Sequence, residues 1–296
     1  MSASAHEMVP DNVLPWWESA CQYDQDEDIY HAVKLFRRII KENPAWIPPY
    51  LRLINIYLRR SEWKQVYAFS KRVLSLDATL KDIWWYLGIS AEKTGKSIIA
   101  KRVWTKFGLL EKTKELICLS IKYDSRAELI WALTCGPAKA QIINIPYPSS
   151  RLCHQDIVYY DRISTDYQVV GKVKHPIYSI LSKQKSSHFN TYSCMLRETE
   201  EKDLKKLENL CHQAGLGFEI WSNSTRALEI KEKNITKEFY FIANNLDEGE
   251  FLISIAARRE DQAREILQTW EIITLKNFTD FKIHENMETL FGHKRK

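Results

Sequence analysis

Glycine is scarce in this chain. Nine occur in 296 residues, and none builds a phosphate cradle, since GxxxxGK(S/T) and GxGxxG are both absent. Gly215-Leu216-Gly217 fits a helix end instead. The spacings CxxC, HxxxH and HExxH are missing too, so six cysteines and eight histidines show no paired zinc-ligand pattern. Six cysteines over this length are not a disulfide framework. No apolar run is long enough to span a membrane as a helix. The opening MSASAHEMVPDN has neither the basic nor the apolar region of a secretory signal. These absences lead us to expect a reduced, cytoplasmic chain with no cofactor, no metal and no membrane contact.

Aromatic residues, by contrast, are abundant. They make up 12% of the chain, with 10 Trp and 14 Tyr, and such rings fill cores or line recognition surfaces. The net charge of +5 is spread along the chain. It permits an acidic partner without requiring one.

Two Trp-Trp pairs organise the first third. They lie in LPWWESA and KDIWWYLG, and Trp16 and Trp84 are 68 residues apart, twice 34. Blocks of 34 starting at Val13, Ile47 and Lys81 bring the chain into register. Position four reads Trp16, Tyr50, Trp84; position seven reads Ser19, Leu53, Leu87; position eight reads Ala20, Ile54, Gly88; position eleven reads Tyr23, Tyr57, Ala91. Position twenty reads Ala32, Val66, Ala100; position twenty-four reads Phe36, Ser70, Trp104; position twenty-seven reads Ile39, Val73, Phe107. Position thirty-two opens with Pro44 and lapses to Ala78 and Lys112. Each block suits two antiparallel helices, A then B. Small residues at positions eight and twenty allow close approach, and larger ones fill the seam. Pro44 ends the first helix B, Gly95 marks the third hairpin turn, and Asp26, Glu27 and Asp28 sit where a helix start favours negative charge.

This pattern resembles the tetratricopeptide repeat over roughly residues 13–112. The third block matches best; in the second, Ile54 replaces the glycine and Ser70 the aromatic. The resemblance implies an α-solenoid of helical hairpins whose A helices line a concave groove through positions two, five, nine, twelve and thirteen. Position five here reads Trp17, Leu51, Trp85; position nine reads Cys21, Asn55, Ile89; position thirteen reads Gln25, Arg59, Lys93. By this reading Trp17 and Trp85 face the groove and Trp16 and Trp84 pack between helices. The expected partner-binding residues are Trp17, Leu51, Asn55, Arg59 and Trp85. The carboxylate-clamp arrangement of the family is incomplete, because Asn55 and Arg52 have no matching Lys in the first block. The expected partner is therefore a peptide with apolar anchors. An amphipathic helix within Thr113–Thr134, such as SRAELIWALT, is expected to cap the stack, giving a first domain over 13–134.

The texture changes after Gly136-Pro137. AQIINI, QDIVYYD and YQVVGKV read as strands of a small β-rich segment, 138–188. Beyond it, NTYSCML, EEKDLKKLENLCHQAGLG, FEIWSNS, EFYFIAN, EFLISIAARRE, REDQAREILQTW and IITLKNFTDFKI read as an α+β domain over 189–284. In element order alone this resembles a ferredoxin-like split β-α-β arrangement.

Chemistry finds little purchase. Cys153-His154 with Asp156 and Asp161 is the densest ligand-like cluster, and Cys211-His212 is a second pair. Cys153 or Cys194 as a nucleophile needs a distant histidine. Nucleic acid is the stronger rival. Tyr240, Phe241 and Phe251 fall on expected strands with Lys231, Lys233, Lys237, Arg258, Arg259 and Lys276 nearby, but EFYFIA lacks the RNA-binding signature. The sequence thus points to a non-enzymatic interaction adaptor or chaperone-like scaffold with a protein or peptide partner. An RNA-associated or regulatory C-terminal domain on a repeat adaptor is the alternative.

Overall fold

The computed structural model describes residues 9–106, 108, 114–123, 126–170, 173–223, 227–229, 239–240 and 247–284. The chain forms two compact units, Met1–Glu111 and Lys112–Lys296. A helical region is followed by a sheet-rich one.

The first unit contains α1 (Leu14–Gln25), α2 (Ile29–Glu42), α3 (Pro48–Arg59), α4 (Trp63–Leu76), α5 (Lys81–Lys93) and α6 (Ser97–Lys106). Each helix packs on the next in chain order. The hairpin turns repeat the 34-residue period in their backbone. Glu27, Ser61 and Gly95 all hold position fifteen, and all take left-handed φ values of 60°, 55° and 75°. Only the third is the residue that adopts this conformation without steric cost. Asp28 then caps α2 by accepting the amide of His31 at 3.2 Å.

The seams repeat as well. Position-eight residues Ala20, Ile54 and Gly88 and position-twenty-four residues Phe36, Ser70 and Trp104 are all buried. Size is traded between the two positions: a ring accompanies alanine or glycine, and serine accompanies isoleucine. At Gly88 the trade is tight, because an added Cβ would lie 2.4 Å from the Trp104 indole. Position four binds the preceding block. Tyr50 donates its hydroxyl to the Pro44 carbonyl at 2.9 Å, and Trp84 donates Nε1 to the Ala78 carbonyl at 2.8 Å. Both acceptors hold position thirty-two, so the carbonyl is what recurs there and the proline is dispensable.

The second unit opens with five strands: β1 (Leu116–Tyr123), β2 (Arg126–Gly136), β3 (Lys139–Ile142), β4 (Ile157–Val170) and β5 (Val173–Lys185). Consecutive strands pair antiparallel. The ring closes by a parallel pairing of β5 with β1, Leu119 opposite Tyr178. An odd number of alternating strands can close no other way. Alternate residues point inward: Ile117 and Leu119, Ile130 and Ala132, Ala140 and Ile142, and Val158 form the interior. β8 (Ala227–Glu229) extends β2, and β9 (Phe239–Tyr240) pairs with β8.

Two expectations are corrected here. The segment expected to cap the helices is β1 and β2 instead. SRAELIWALT misleads because β2 is apolar on both faces. Ile130 and Ala132 face the barrel interior while Leu129 and Trp131 pack in a second cluster with Cys118 and Ile177, and such a run has no strand periodicity. YQVVGKV, read as one strand, instead spans the end of β4 and the start of β5.

The remaining elements are β6 (Asn190–Leu196), α7 (Glu201–Gln213), β7 (Gly217–Ile220), β10 (Phe251–Ala257), α8 (Glu260–Thr274) and β11 (Phe278–His284). They form an antiparallel sheet of order β11-β6-β10-β7. Leu204, Leu207 and Cys211 of α7 and Ala263, Leu267 and Trp270 of α8 share one core with the strands. The loop after β3 is tied to this sheet. Glu219 accepts the Ile145 amide at 2.8 Å and Asn144 Nδ2 at 3.0 Å, and Trp221 Nε1 donates to the Ile145 carbonyl at 3.0 Å.

Candidate functional site

An exposed polar row of the first unit lies on α3. Arg52, Asn55 and Arg59 stand three and four residues apart, which places them on one helix face, and all three are exposed. Leu51, half-buried, sits one turn before Asn55. Arg59 pairs with Asp24 of α1, and Arg52 places its guanidinium 5.9 Å from the Trp17 ring. Cys21 lies in the same field. Burial pushes its thiol up, Arg52 pulls it down and Asp24 pushes it up. Together these contacts draw α1 and α3 into a single surface with a cationic edge.

The tryptophans depart from expectation. Trp85 is 5% exposed and meets Trp104 edge-on, ring centres 5.6 Å apart. It is therefore not on the open surface. Trp17 is half-buried, edge-on to Phe36 at 5.6 Å and to Trp46 at 4.9 Å. Position five thus packs against the position-twenty-four ring in the first and third blocks. In those two blocks position four sits at a half-exposed rim under a cation: Arg38 lies 3.8 Å from the Trp16 ring and Lys106 3.9 Å from the Trp84 ring. Adjacent helical residues differ by about 100° in direction, and at a boundary that angle decides which of two indoles is buried. Of the five expected partner residues, Trp17, Leu51, Asn55 and Arg59 share the α1–α3 surface and Trp85 does not. Arg52 and Asp24 belong with them. Asp24 holds position twelve, one of the groove positions, and was readable there.

The ligand-like clusters are taken up by the fold. Asp156 is fully buried, accepting the amides of Cys153 at 2.9 Å and Ser187 at 2.6 Å beside the Lys183 ammonium at 3.2 Å. Asp161 accepts the Ile163 amide at 3.3 Å. His154 Nδ1 lies 3.1 Å from the Asn144 carbonyl, its ring is edge-on to Phe189, and burial holds its pKa below the usual histidine value. Burial pushes the Cys211 thiol up to about 12 and raises that of Cys194 as well. A thiol that stays protonated is a poor nucleophile. Among the described residues, no group of three His, Cys, Asp or Glu could hold a metal ion, and no helix is long and apolar enough to cross a membrane.

On the nucleic-acid side, Phe251 packs against the core shared with α7 and α8. On the opposite sheet face Ile145, Tyr147, Phe189 and Trp221 cluster with Ala256. Arg259 pairs with Asp261 at 3.0 Å. The side chains of Lys231, Lys233, Lys237, Tyr240 and Phe241 lie outside the described residues.

No family model and no curated protein matches the chain. Among solved structures it is similar to a hypothetical protein from Neisseria gonorrhoeae, at 12% identity, over 57% of this chain and 94% of that one, with a TM-score of 0.25.

Proposed function

We propose that the chain is a non-enzymatic adaptor that holds a peptide segment of a partner protein along the α1–α3 surface. The carrying observation is the exposed row Arg52, Asn55 and Arg59 beside half-buried Trp17 and Leu51. An apolar side chain of the partner rests on Trp17 and Leu51, and its carbonyl or carboxylate oxygens meet Arg52 and Asn55. Trp and Arg are the residue types that most often dominate such contacts.

The tetratricopeptide reading of the first unit draws support from three recurrences at 34 residues: the left-handed position fifteen, the bond from position four to the preceding position thirty-two, and the exchange of size between positions eight and twenty-four. The order β11-β6-β10-β7, with helices after β6 and β10, supports the ferredoxin-like reading of residues 189–284. Six free cysteines suit a reducing, cytoplasmic setting. Phe251, half-buried against the core shared with α7 and α8, weighs against an RNA-stacking sheet.

A photo-crosslinking amino acid at position 55 tests the reading in cells. It should capture a protein that the Trp17→Ala/Arg52→Glu variant, equally helical by circular dichroism, does not. Capture that survives both substitutions refutes the assignment.

A further inference from the structure

A cavity of about 480 Å³ opens between α7 and β7 in the second unit. Leu204, Phe218, Ile220 and Phe251 form its floor. Leu204 is buried and the other three are half-buried. At its lip Lys205 is paired with Glu201 at 2.9 Å. Glu208, also at the lip, is exposed and makes no ion pair among the described residues. β7 ends its sheet, and among the described residues it pairs on one side only, with β10. An edge of this kind offers unpaired N–H and C=O groups to another strand. Among the described residues three features therefore adjoin one another: a strand edge paired on one side only, an apolar trough beside it and a carboxylate without an ion pair above.

We infer that this groove receives an extended peptide from a partner protein, which adds a strand to β7, seats a large apolar side chain on Phe218 and Ile220, and directs a Lys or Arg two residues away toward Glu208. The spacing follows from strand geometry, because residues two apart share a face while main-chain bonds supply the docking. The charge argues for a basic segment, because Glu201 at the lip is paired with Lys205 while Glu208 has no ion pair among the described residues, and a Lys or Arg of the peptide neutralises it. The inference is independent of the α1–α3 surface, which lies in the other unit.

Selection of phage-displayed random octapeptides on the full chain tests it. Enriched sequences should pair a large apolar residue with Lys or Arg two positions away, and a synthetic peptide of the enriched sequence should bind. Glu208→Lys should weaken that peptide about tenfold without altering circular dichroism. N-methylating either of two neighbouring amides in the peptide, made as separate compounds, should weaken one of the two about tenfold or more, since only alternate amides face the edge. The Trp17→Ala/Arg52→Glu variant should bind it as the parent does. The proposal is overturned by no enrichment, by apolar residues enriched at helical spacing, by indifference to Glu208→Lys, or by self-association of the chain that blocks the groove.

Discussion

The indole of Trp104 occupies the space into which a side chain on residue 88 would grow, 2.4 Å from an added Cβ. Gly88→Ala must therefore displace a large ring that is itself held by the bond from Trp104 Nε1 to Glu92 at 2.8 Å. Overpacking of this kind costs roughly 1–3 kcal/mol. Urea unfolding of the full chain should show that loss. Combining Gly88→Ala with Trp104→Leu should recover part of it, since the smaller side chain vacates the contested space; strict additivity of the two changes would contradict the contact.

The three hairpin turns offer a graded comparison. Glu27 and Ser61 hold the left-handed backbone that Gly95 holds freely. Glu27→Gly and Ser61→Gly should each raise stability by about 0.5 kcal/mol, and Gly95→Ala should lower it by about 1 kcal/mol. Thermal melts read the sign directly, and destabilisation by both glycine substitutions would contradict the turn geometry.

Acid should loosen the second unit through His154. Burial lowers its folded pKa below the ordinary 6.5, so the unfolded chain binds the proton first. That contribution to stability is whole above about pH 6.5 and is lost as the pH falls from there toward the folded value. His284 is shifted the same way, by burial and by Lys282. His154→Asn should flatten the dependence of the melting temperature between pH 7.5 and pH 5.5, leaving the share due to His284. An unchanged slope would place His154 outside the linkage.

Thiol labelling separates the cysteines by burial. Cys21 and Cys135 are half-buried, whereas Cys118, Cys153, Cys194 and Cys211 are buried, and burial pushes the Cys118 and Cys211 thiols up to about 12. A chromogenic disulfide reagent should titrate two thiols in the native chain and all six after denaturation. Rapid native labelling of Cys194 would contradict the core packing of β6.

Much of the first unit was legible because in the first and third blocks its period is carried by residues with one physical job each, small at position eight and a ring at twenty-four, and because Gly95 marks the third turn. The choice between Trp84 and Trp85 was not, since both flank the same boundary and the packing of Trp104 settles which one is enclosed. Asp24 and Arg52 sat at readable positions, yet their roles emerge only from a pairing across α1 and α3. In the second unit, α7, α8 and the strands that flank them followed from caps, Gly215 and apolar alternation. β2 escaped because both its faces are covered, which erases the alternation that distinguishes a strand. The β7 groove had no local signature, as it joins residues from α7, β7 and β10.

The parallel seam between β1 and β5 carries a consequence for biogenesis. Ribosomes deliver β1 about sixty residues before its closing neighbour, and pairings of such long range form slowly. Until Ile177–Ser179 emerges, the nascent chain holds an unfinished cylinder with a raw flank at Cys118–Ser120. The α1–α6 hairpins, built from neighbouring contacts, can be complete by then. Synthesis rate through residues 120–180 therefore governs how long that flank stays open to aggregation.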